Sequence, residues 1–179
     1  MPDHPDEPNA ADPSTVGEHL DALMRVAIAR RDEGRLGEAI DLLAEAADLA
    51  VRIDRVPTYV LAMTALGDAH TAEERFADAV TCYAAGYRVV RDVVDWPEME
   101  GTLSWRLAGA EAAVRAGIPV PEDLVRAAAP TSGQRWVSEC DEDLVEDDHI
   151  PAHAVRRFWE VRDGLVTGTT VANPRYRRG

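Results

Sequence analysis

Two stretches of this chain superpose at an offset of about 40 residues, and no other feature of the sequence constrains the fold as strongly. Both stretches have apolar residues at the three- and four-residue spacing of an amphipathic helix. Their small residues coincide as well, because Ala39 falls on Ala79 and Ala46 falls on Gly86. Any two amphipathic helices align their apolar positions at some offset, but that leaves the matching of small residues unexplained. We therefore predict a repeated helix pair whose copies stack to bury a common apolar face.

Glycine and proline divide the segment around these stretches into successive helices. The first helix is predicted over Thr15–Glu33, and Gly34 ends it because glycine reaches the left-handed conformation of a helix C-terminus at little cost. Pro57 and Pro97 mark the starts of later helices. Residues 1–14 hold four prolines, four acids and almost nothing apolar, which predicts a disordered acidic tail before the first helix.

The charge of the chain restricts its partners. The chain has 33 acids against 19 basic residues, all of them arginine, for a net charge of −14. A surface this negative repels phosphate backbones, so we predict no nucleic-acid partner. No run approaches the length of a membrane span, and the N-terminus lacks the pattern of a signal peptide. Two cysteines are too few for a disulfide framework, so the sequence predicts a cytoplasmic protein without a membrane partner.

The paired helices resemble the tetratricopeptide repeat family. In that family a small residue in the first helix and an alanine early in the second let the helices approach closely, and a large residue fills the groove between neighbouring pairs. The matching residues are Ala27, Ala39, Leu43 and Ala46 in one unit and Gly67, Ala79, Tyr83 and Gly86 in the next. The 40-residue period is longer than the usual period of about 34. It is similar to that of variant repeats in large bacterial signal-transduction regulators and kinesin light chains.

The resemblance implies an all-α fold, a right-handed helix-pair solenoid of two to three repeats over residues 15–130. The match itself covers residues 20–94. A degenerate third unit is predicted over residues 99–129, where the turn between its helices is lengthened by two prolines.

The C-terminal part departs from the repeat. Seven of the ten residues in Glu139–Asp148 are acidic, and we predict a solvated acidic loop over residues 131–150. A capping helix is predicted over residues 151–165, where it would cover the open end of the solenoid. The residues at helical spacing in this segment are Val155, Phe158, Trp159 and Arg162. Residues 166–179 are predicted to form an irregular basic tail.

In the resembled family the first helix of each pair lines a concave face that holds a peptide, which implies a peptide-binding adaptor or regulatory module here. The corresponding positions are Met24, Ile28, Arg31, Leu61, Thr64, Asp68, Thr71 and Arg106. The lysines and asparagines of the family's chaperone-tail clamp are missing from these positions, so binding of chaperone tails is disfavoured. Residues 15–130 have a net charge of −8, so an acidic ligand requires arginine where it docks. We expect Arg31 and Arg106 to grip a ligand carboxylate beside an apolar anchor.

Two other functions stay open. A second copy of the chain could fill the concave face or the open end, which would make the protein a self-associating structural module and a homodimer. Cys140, His149 and His153 form a C-x8-H-x3-H arrangement on which a small metal-binding protein or enzyme would centre. Such spacings are common by chance, and the sequence has no nucleophile elbow or phosphate-binding glycine loop. We therefore interpret His70 and Cys82 as packing residues and predict a protein or peptide partner, no cofactor and no enzymatic activity.

Overall fold

The computed structural model describes residues 13–145 and 150–177. Within these ranges the chain forms six α-helices followed by three β-strands. The elements are α1 (Pro13–Asp32), α2 (Leu36–Arg52), α3 (Val56–Ala72), α4 (Phe76–Asp92), α5 (Pro97–Ala116), α6 (Glu122–Ala128), β1 (Gln134–Cys140), β2 (Val155–Arg162) and β3 (Leu165–Ala172). A short 3-10 turn, Glu142–Leu144, follows β1. The predicted disordered tail lies outside the described residues except for Pro13 and Ser14, which belong to α1.

The helices pack in the order in which they occur along the chain. Each helix from α1 to α4 packs against the next one, and α5 also contacts α6. The helix boundaries repeat at the offset seen in the sequence: α2 and α4 begin at Leu36 and Phe76, and they end at Arg52 and Asp92. The prediction of a mostly helical chain built from successive helix pairs is therefore confirmed.

Three turns of the same kind join the first four helices. Gly34, Asp54 and Glu74 each adopt the left-handed backbone conformation, with φ of 76°, 55° and 58°. In each turn the amide of the following residue donates to the carbonyl five residues earlier, at 2.8 Å. This bond belongs to the Schellman motif, which closes a helix C-terminus. Because the same turn follows each of the first three helices at equal spacing, one helix with its turn makes up half of the repeat.

The large and small residues of the repeat pack against each other between helices. In the first unit Ala27 and Leu43 are fully buried in one apolar cluster. The second unit has the larger Tyr83 in place of Leu43, and Gly67 makes room for it. A Cβ built on Gly67 would lie only 2.3 Å from Cε1 of Tyr83. The two units thus keep one contact with different residue pairs, which explains why small residues match at the repeat offset.

The prediction of an all-α fold is wrong for the C-terminal part. Residues 151–165, predicted as a capping helix, contain β2 and the turn that leads into β3. Residues 131–150, predicted as an acidic loop, contain β1. The irregular tail predicted over residues 166–179 contributes all but the first residue of β3. The three strands form one antiparallel sheet in the order β1-β2-β3.

A tight turn explains why this segment forms a hairpin instead of a helix. Asp163 and Gly164 join β2 to β3, and both have positive φ, 47° and 82°, as a two-residue type I′ turn requires. The flanking strands contain β-branched residues such as Val161 and Val166, which favour extended backbone. An Asp-Gly pair between two such runs is a strong hairpin signal, and it outweighs a helical spacing that extends over only a short segment.

The residues after β3 are attached to the sheet. The side-chain amide of Asn173 donates to the backbone carbonyls of Ala152 and Val155, at 2.7 Å in both cases. The hydroxyl of Tyr176 donates to Oδ2 of Asp141 at 2.7 Å. These bonds fix the chain after β3 against the segments that precede β2, so this part of the predicted tail has a defined path.

The sheet covers the last helices of the array. Trp159, Val161 and Val166 are buried against α5 and α6. β3 approaches α5 so closely that a Cβ on Gly168 would lie 2.8 Å from the carbonyl oxygen of Ala112. The sheet thus occupies the end of the array, where the sequence predicted a capping helix.

Burial of His70 makes the stability of the fold depend on pH. His70 is buried in α3, and Nδ1 has no hydrogen-bond partner among the described residues. Burial, followed by the positive charge of Arg75, lowers the pKa of His70 from its ordinary value of 6.5. As the pH falls below about 6.5, the unfolded chain takes up a proton that the folded chain resists, so the free energy of unfolding decreases.

We predict that the free energy of unfolding of His70→Gln decreases less than that of the wild type when the pH is lowered. Urea unfolding at about pH 7.5 and 5.5 measures the change for the wild type and the variant. The matched control is His19→Gln, because His19 is exposed and its contact with Glu45, at 3.8 Å, joins two exposed side chains that add little to stability. This control should keep the wild-type pH dependence. A full wild-type decrease in His70→Gln would show that other groups cause it.

Candidate functional site

An open cavity of about 340 Å³ lies between α3 and α5, and we refer to it as the α3–α5 groove. Its polar lining consists of Asp68 and Thr71 from α3, Tyr83 from α4, Arg106 from α5 and Glu122 from α6. Its apolar lining includes Trp105, Gly109, Ala113, Val120 and Val125. The groove therefore combines an apolar wall with a compact group of hydrogen-bonding side chains, which is typical of ligand sites.

Hydrogen bonds fix the polar side chains of the groove. The Tyr83 hydroxyl donates to Oδ1 of Asp68 at 2.8 Å and lies 3.3 Å from the hydroxyl of Thr71. Thr71 donates to the carbonyl of Gly67, one helical turn earlier, at 2.8 Å. Burial of the ring, together with the nearby Asp68 carboxylate, raises the pKa of the Tyr83 hydroxyl far above its ordinary value. This hydroxyl therefore keeps its proton and acts as a donor toward Asp68.

Arg106 joins α5 to this network. Its guanidinium forms an ion pair with Asp68, and the two side chains remain 23% and 28% exposed. It also lies over the ring of Trp105, 5.2 Å from the ring centre, and Arg126 of α6 lies over the same ring at 4.8 Å. Because Arg106 and Asp68 line the groove and are only partly covered, a ligand in the groove can contact both side chains.

Three of the eight residues predicted for the binding face line the groove: Asp68, Thr71 and Arg106. Asp68 and Thr71 are three residues apart and therefore lie on one face of α3. Arg106 meets them from α5 through its ion pair with Asp68. The sequence predicted that Arg106 would hold a ligand carboxylate, whereas the structure pairs it with a carboxylate of the same chain.

The other five predicted residues lie elsewhere. Met24 is half-buried and packs in the apolar core of the first helix pair. Ile28 and Leu61 are exposed on the surface. Arg31 forms an ion pair with the next residue of its own helix, and Thr64 is buried and donates to a backbone carbonyl of α3 at 2.8 Å. None of these five residues, all of which the structure describes, lines the α3–α5 groove.

Several residues of the groove were not predicted as binding residues. Tyr83 was predicted as a buried packing residue, and its ring is buried, but its hydroxyl reaches Asp68 at the groove. The available signal was the phenol itself, since a buried tyrosine hydroxyl needs a polar partner. Val120 and Val125 line the groove from the segment between α5 and α6 and from α6. No sequence spacing reveals how that segment lies against α5.

Of the three residues of the alternative site at Cys140, His149 and His153, the structure describes two. His149 lies outside the described residues, His153 is exposed, and Sγ of Cys140 lies 3.8 Å from Oγ of Ser138. In the part of the chain that the structure describes, no three His, Cys, Asp or Glu side chains could hold a metal ion together. Cys82 is buried, and burial raises its pKa to about 11, so its thiol stays protonated and poorly reactive.

No protein-family model, curated protein or solved structure matches the chain. Among the helices of residues 13–145 and 150–177, none has both the length and the hydropathy of a membrane span.

Proposed function

We propose that this protein is a peptide-binding interaction module, built on a right-handed tetratricopeptide-like stack of helix pairs, and that the peptide lies in the α3–α5 groove. The observation that carries the proposal is the partly exposed Asp68–Arg106 pair beside an open apolar wall. A pair that served only to join α3 to α5 would need no open cavity next to it. In this role the groove binds a partner and carries out no catalysis.

The polar group of the groove favours a ligand that both donates and accepts hydrogen bonds. Asp68 is an acceptor and Arg106 a donor, and each already neutralises the other. A ligand carboxylate would compete with Asp68 for Arg106, whereas an amide or a hydroxyl can bond to both without separating them. Peptide groups and the side chains of Asn, Gln, Ser and Thr have this property.

The apolar wall and the overall charge complete the description of the ligand. Ala113 of α5 offers an apolar surface together with Val120 and Val125, and Val125 packs against Gly109. An apolar ligand side chain placed there would be removed from water. The helical segment over residues 15–130 has a net charge of −8, which repels acidic ligands and attracts basic ones. We therefore propose an uncharged or basic peptide with one apolar anchor.

We predict that peptides selected on the wild-type protein from a random display library contain an apolar residue close to an amide or hydroxyl side chain. Arg106→Ala should weaken their binding about 10-fold or more, roughly 1–3 kcal/mol, because a charged hydrogen-bond donor is lost and Asp68 loses its ion-pair partner. Isothermal titration calorimetry of one selected peptide measures the change.

The matched control for this experiment is Arg52→Ala. Arg52 is exposed in the last turn of α2, so the change removes the same charge away from the groove. Its effect on binding should be less than about twofold, as is usual for a distant surface charge. Equal losses from the two variants would show that general charge governs binding, and the groove assignment would be wrong.

A further inference from the structure

β1 is an edge strand that pairs with β2 on one side only. The amide of Asp163 donates to the carbonyl of Gly133 at 3.0 Å, so the backbone carbonyl of Gly133 points toward β2. Along an antiparallel ladder, residues whose backbone groups point toward the neighbouring strand alternate with residues whose groups point away from it. The backbone groups of Gln134, Trp136 and Ser138 therefore point away from β2. Within the described ranges, no backbone hydrogen bond joins these three residues to a further segment.

β1 lacks several features that keep edge strands apart. It contains neither proline nor lysine, and its irregularity lies only at its last step, between Glu139 and Cys140. The pairing with β2 shows which face of β1 is turned toward the helices: Val137 pairs with Trp159, which is buried against them. Trp136 therefore lies on the opposite face, and 47% of its surface is exposed. Unpaired backbone groups beside an exposed aromatic side chain favour the addition of a strand.

We propose that β1 pairs antiparallel with β1 of a second copy of this chain, about a two-fold axis at Val137. In this register the outward backbone groups of Trp136 meet those of Ser138 in the second copy, and the reverse pair forms by symmetry. Arg135 then lies directly opposite Glu139 of the second copy, in a non-hydrogen-bonded pair where side chains approach closely. Oε2 of Glu139 is bonded to Trp159 and Arg157 of its own chain, so Oε1 is the atom that would accept from Arg135. The two chains form two such ion pairs and one continuous sheet.

Charge complementarity selects this register over its neighbours. A shift of two residues keeps the outward backbone groups aligned, but it places Arg135 opposite Val137 in one direction and opposite Asp141 in the other. Asp141 lies beyond the end of β1 and after the irregularity between Glu139 and Cys140, so it does not continue the regular ladder. Only the register centred at Val137 places Arg135 opposite a carboxylate within β1 itself.

The same register brings the two Trp136 side chains together. Trp136 lies opposite Ser138 of the second copy and therefore diagonal to its Trp136, within the reach of aromatic side chains. Phe158, which is half-buried, pairs with Ser138 across the β1–β2 ladder and extends the apolar strip on this face. Association would thus cover the exposed tryptophan as well as the strand edge. The interface is separate from the α3–α5 groove and does not depend on the proposed function.

The first test is the mass of the wild-type protein in solution, measured by sedimentation equilibrium over about 1–500 µM. We expect a reversible dimer. Arg135→Glu places two carboxylates opposite each other at both pairs and should raise the dissociation constant about 10-fold or more. Arg52→Glu, the same change of charge on exposed α2, should alter it less than about twofold.

The second test needs no variant and follows amide hydrogen exchange in the wild-type protein by NMR. The amides of Trp136 and Ser138 should become protected as the concentration rises, whereas those of Arg135 and Val137, which bond to β2, should be protected at every concentration. A protein that is monomeric throughout the range would overturn the proposal. So would a dimer that Arg135→Glu leaves intact, or protection of Trp136 and Ser138 that is independent of concentration.

Discussion

Gly67→Ala is expected to lower the free energy of unfolding by about 3 kcal/mol, although it adds a single methyl group. The new Cβ would lie 2.3 Å from Cε1 and 2.5 Å from Cδ1 of Tyr83, far inside ordinary contact distance. The ring has little space to move because it is buried in a cluster with residues of α3 and α5. Urea unfolding at neutral pH measures the loss. Gly101→Ala is the matched control: nothing lies within 4 Å of its Cβ position, so the variant should be about 0.5–1 kcal/mol more stable than the wild type.

The repeat itself supplies a second variant for this prediction. Gly67→Ala combined with Tyr83→Leu recreates the Ala27–Leu43 pair that packs at the equivalent place in the first unit. The two changes should therefore compensate, with a coupling energy above about 1 kcal/mol in a double-mutant cycle. Strictly additive effects would contradict the direct contact between Gly67 and Tyr83.

Trp159→Ala is expected to lower the free energy of unfolding by about 3–5 kcal/mol. Trp159 is fully buried in the cluster that joins β2 to α5 and α6, so the change leaves a large cavity between the sheet and the helices. It also removes the hydrogen bond that the indole donates to Oε2 of Glu139 at 2.8 Å. The loss is measured by urea unfolding followed by far-ultraviolet circular dichroism.

Trp136→Ala is the control for the same type of change in the same sheet. Trp136 is 47% exposed on the other face, so its removal should lower the free energy of unfolding by less than about 1 kcal/mol. The comparison is made at low protein concentration, where the monomer prevails. If Trp159→Ala cost no more than Trp136→Ala, the sheet would not be packed on the helices as described.

The helical part of the fold could be predicted because two independent patterns agree there. Apolar periodicity marks each helix, and the repeat offset places the small residues against the large ones. The sequence does not reveal that each single helix with its turn is equivalent to the next. Glycine is the usual residue in a left-handed turn, and Gly34 fits this rule, but the two equivalent turns have Asp54 and Glu74 at this position. Such turns are held by backbone bonds that side-chain identity does not reveal.

The sheet could not be predicted from periodicity alone. Between Val155 and Arg162 the chain is too short for the helical period to be distinguished from the alternation of a strand. The Asp163–Gly164 turn was the missed signal, because only residues that tolerate positive φ fit there. Burial of Trp159 and Val161 against α5 and α6 then fixes which face of the sheet is covered.

Residues of the candidate site could be predicted where they share one face of a single helix. The resemblance implied Asp68, Thr71 and Arg106 by their positions in the repeat, and all three line the groove. Arg31 does not line the groove, and its guanidinium pairs with Asp32, the acid beside it in sequence. The contribution of Val120 depends on the path of an irregular segment, which no periodic pattern describes.

A peptide site in the α3–α5 groove is tested most directly by an NMR titration of the wild-type protein with a peptide selected from a display library. The predicted result is that the largest amide shift changes occur at Thr71, Arg106 and Gly109. The exposed Val51 and Val93, which line a separate apolar groove at the ends of α2 and α4, should remain unchanged. Largest changes at Val51 and Val93, with Thr71, Arg106 and Gly109 unaffected, would contradict the proposed function.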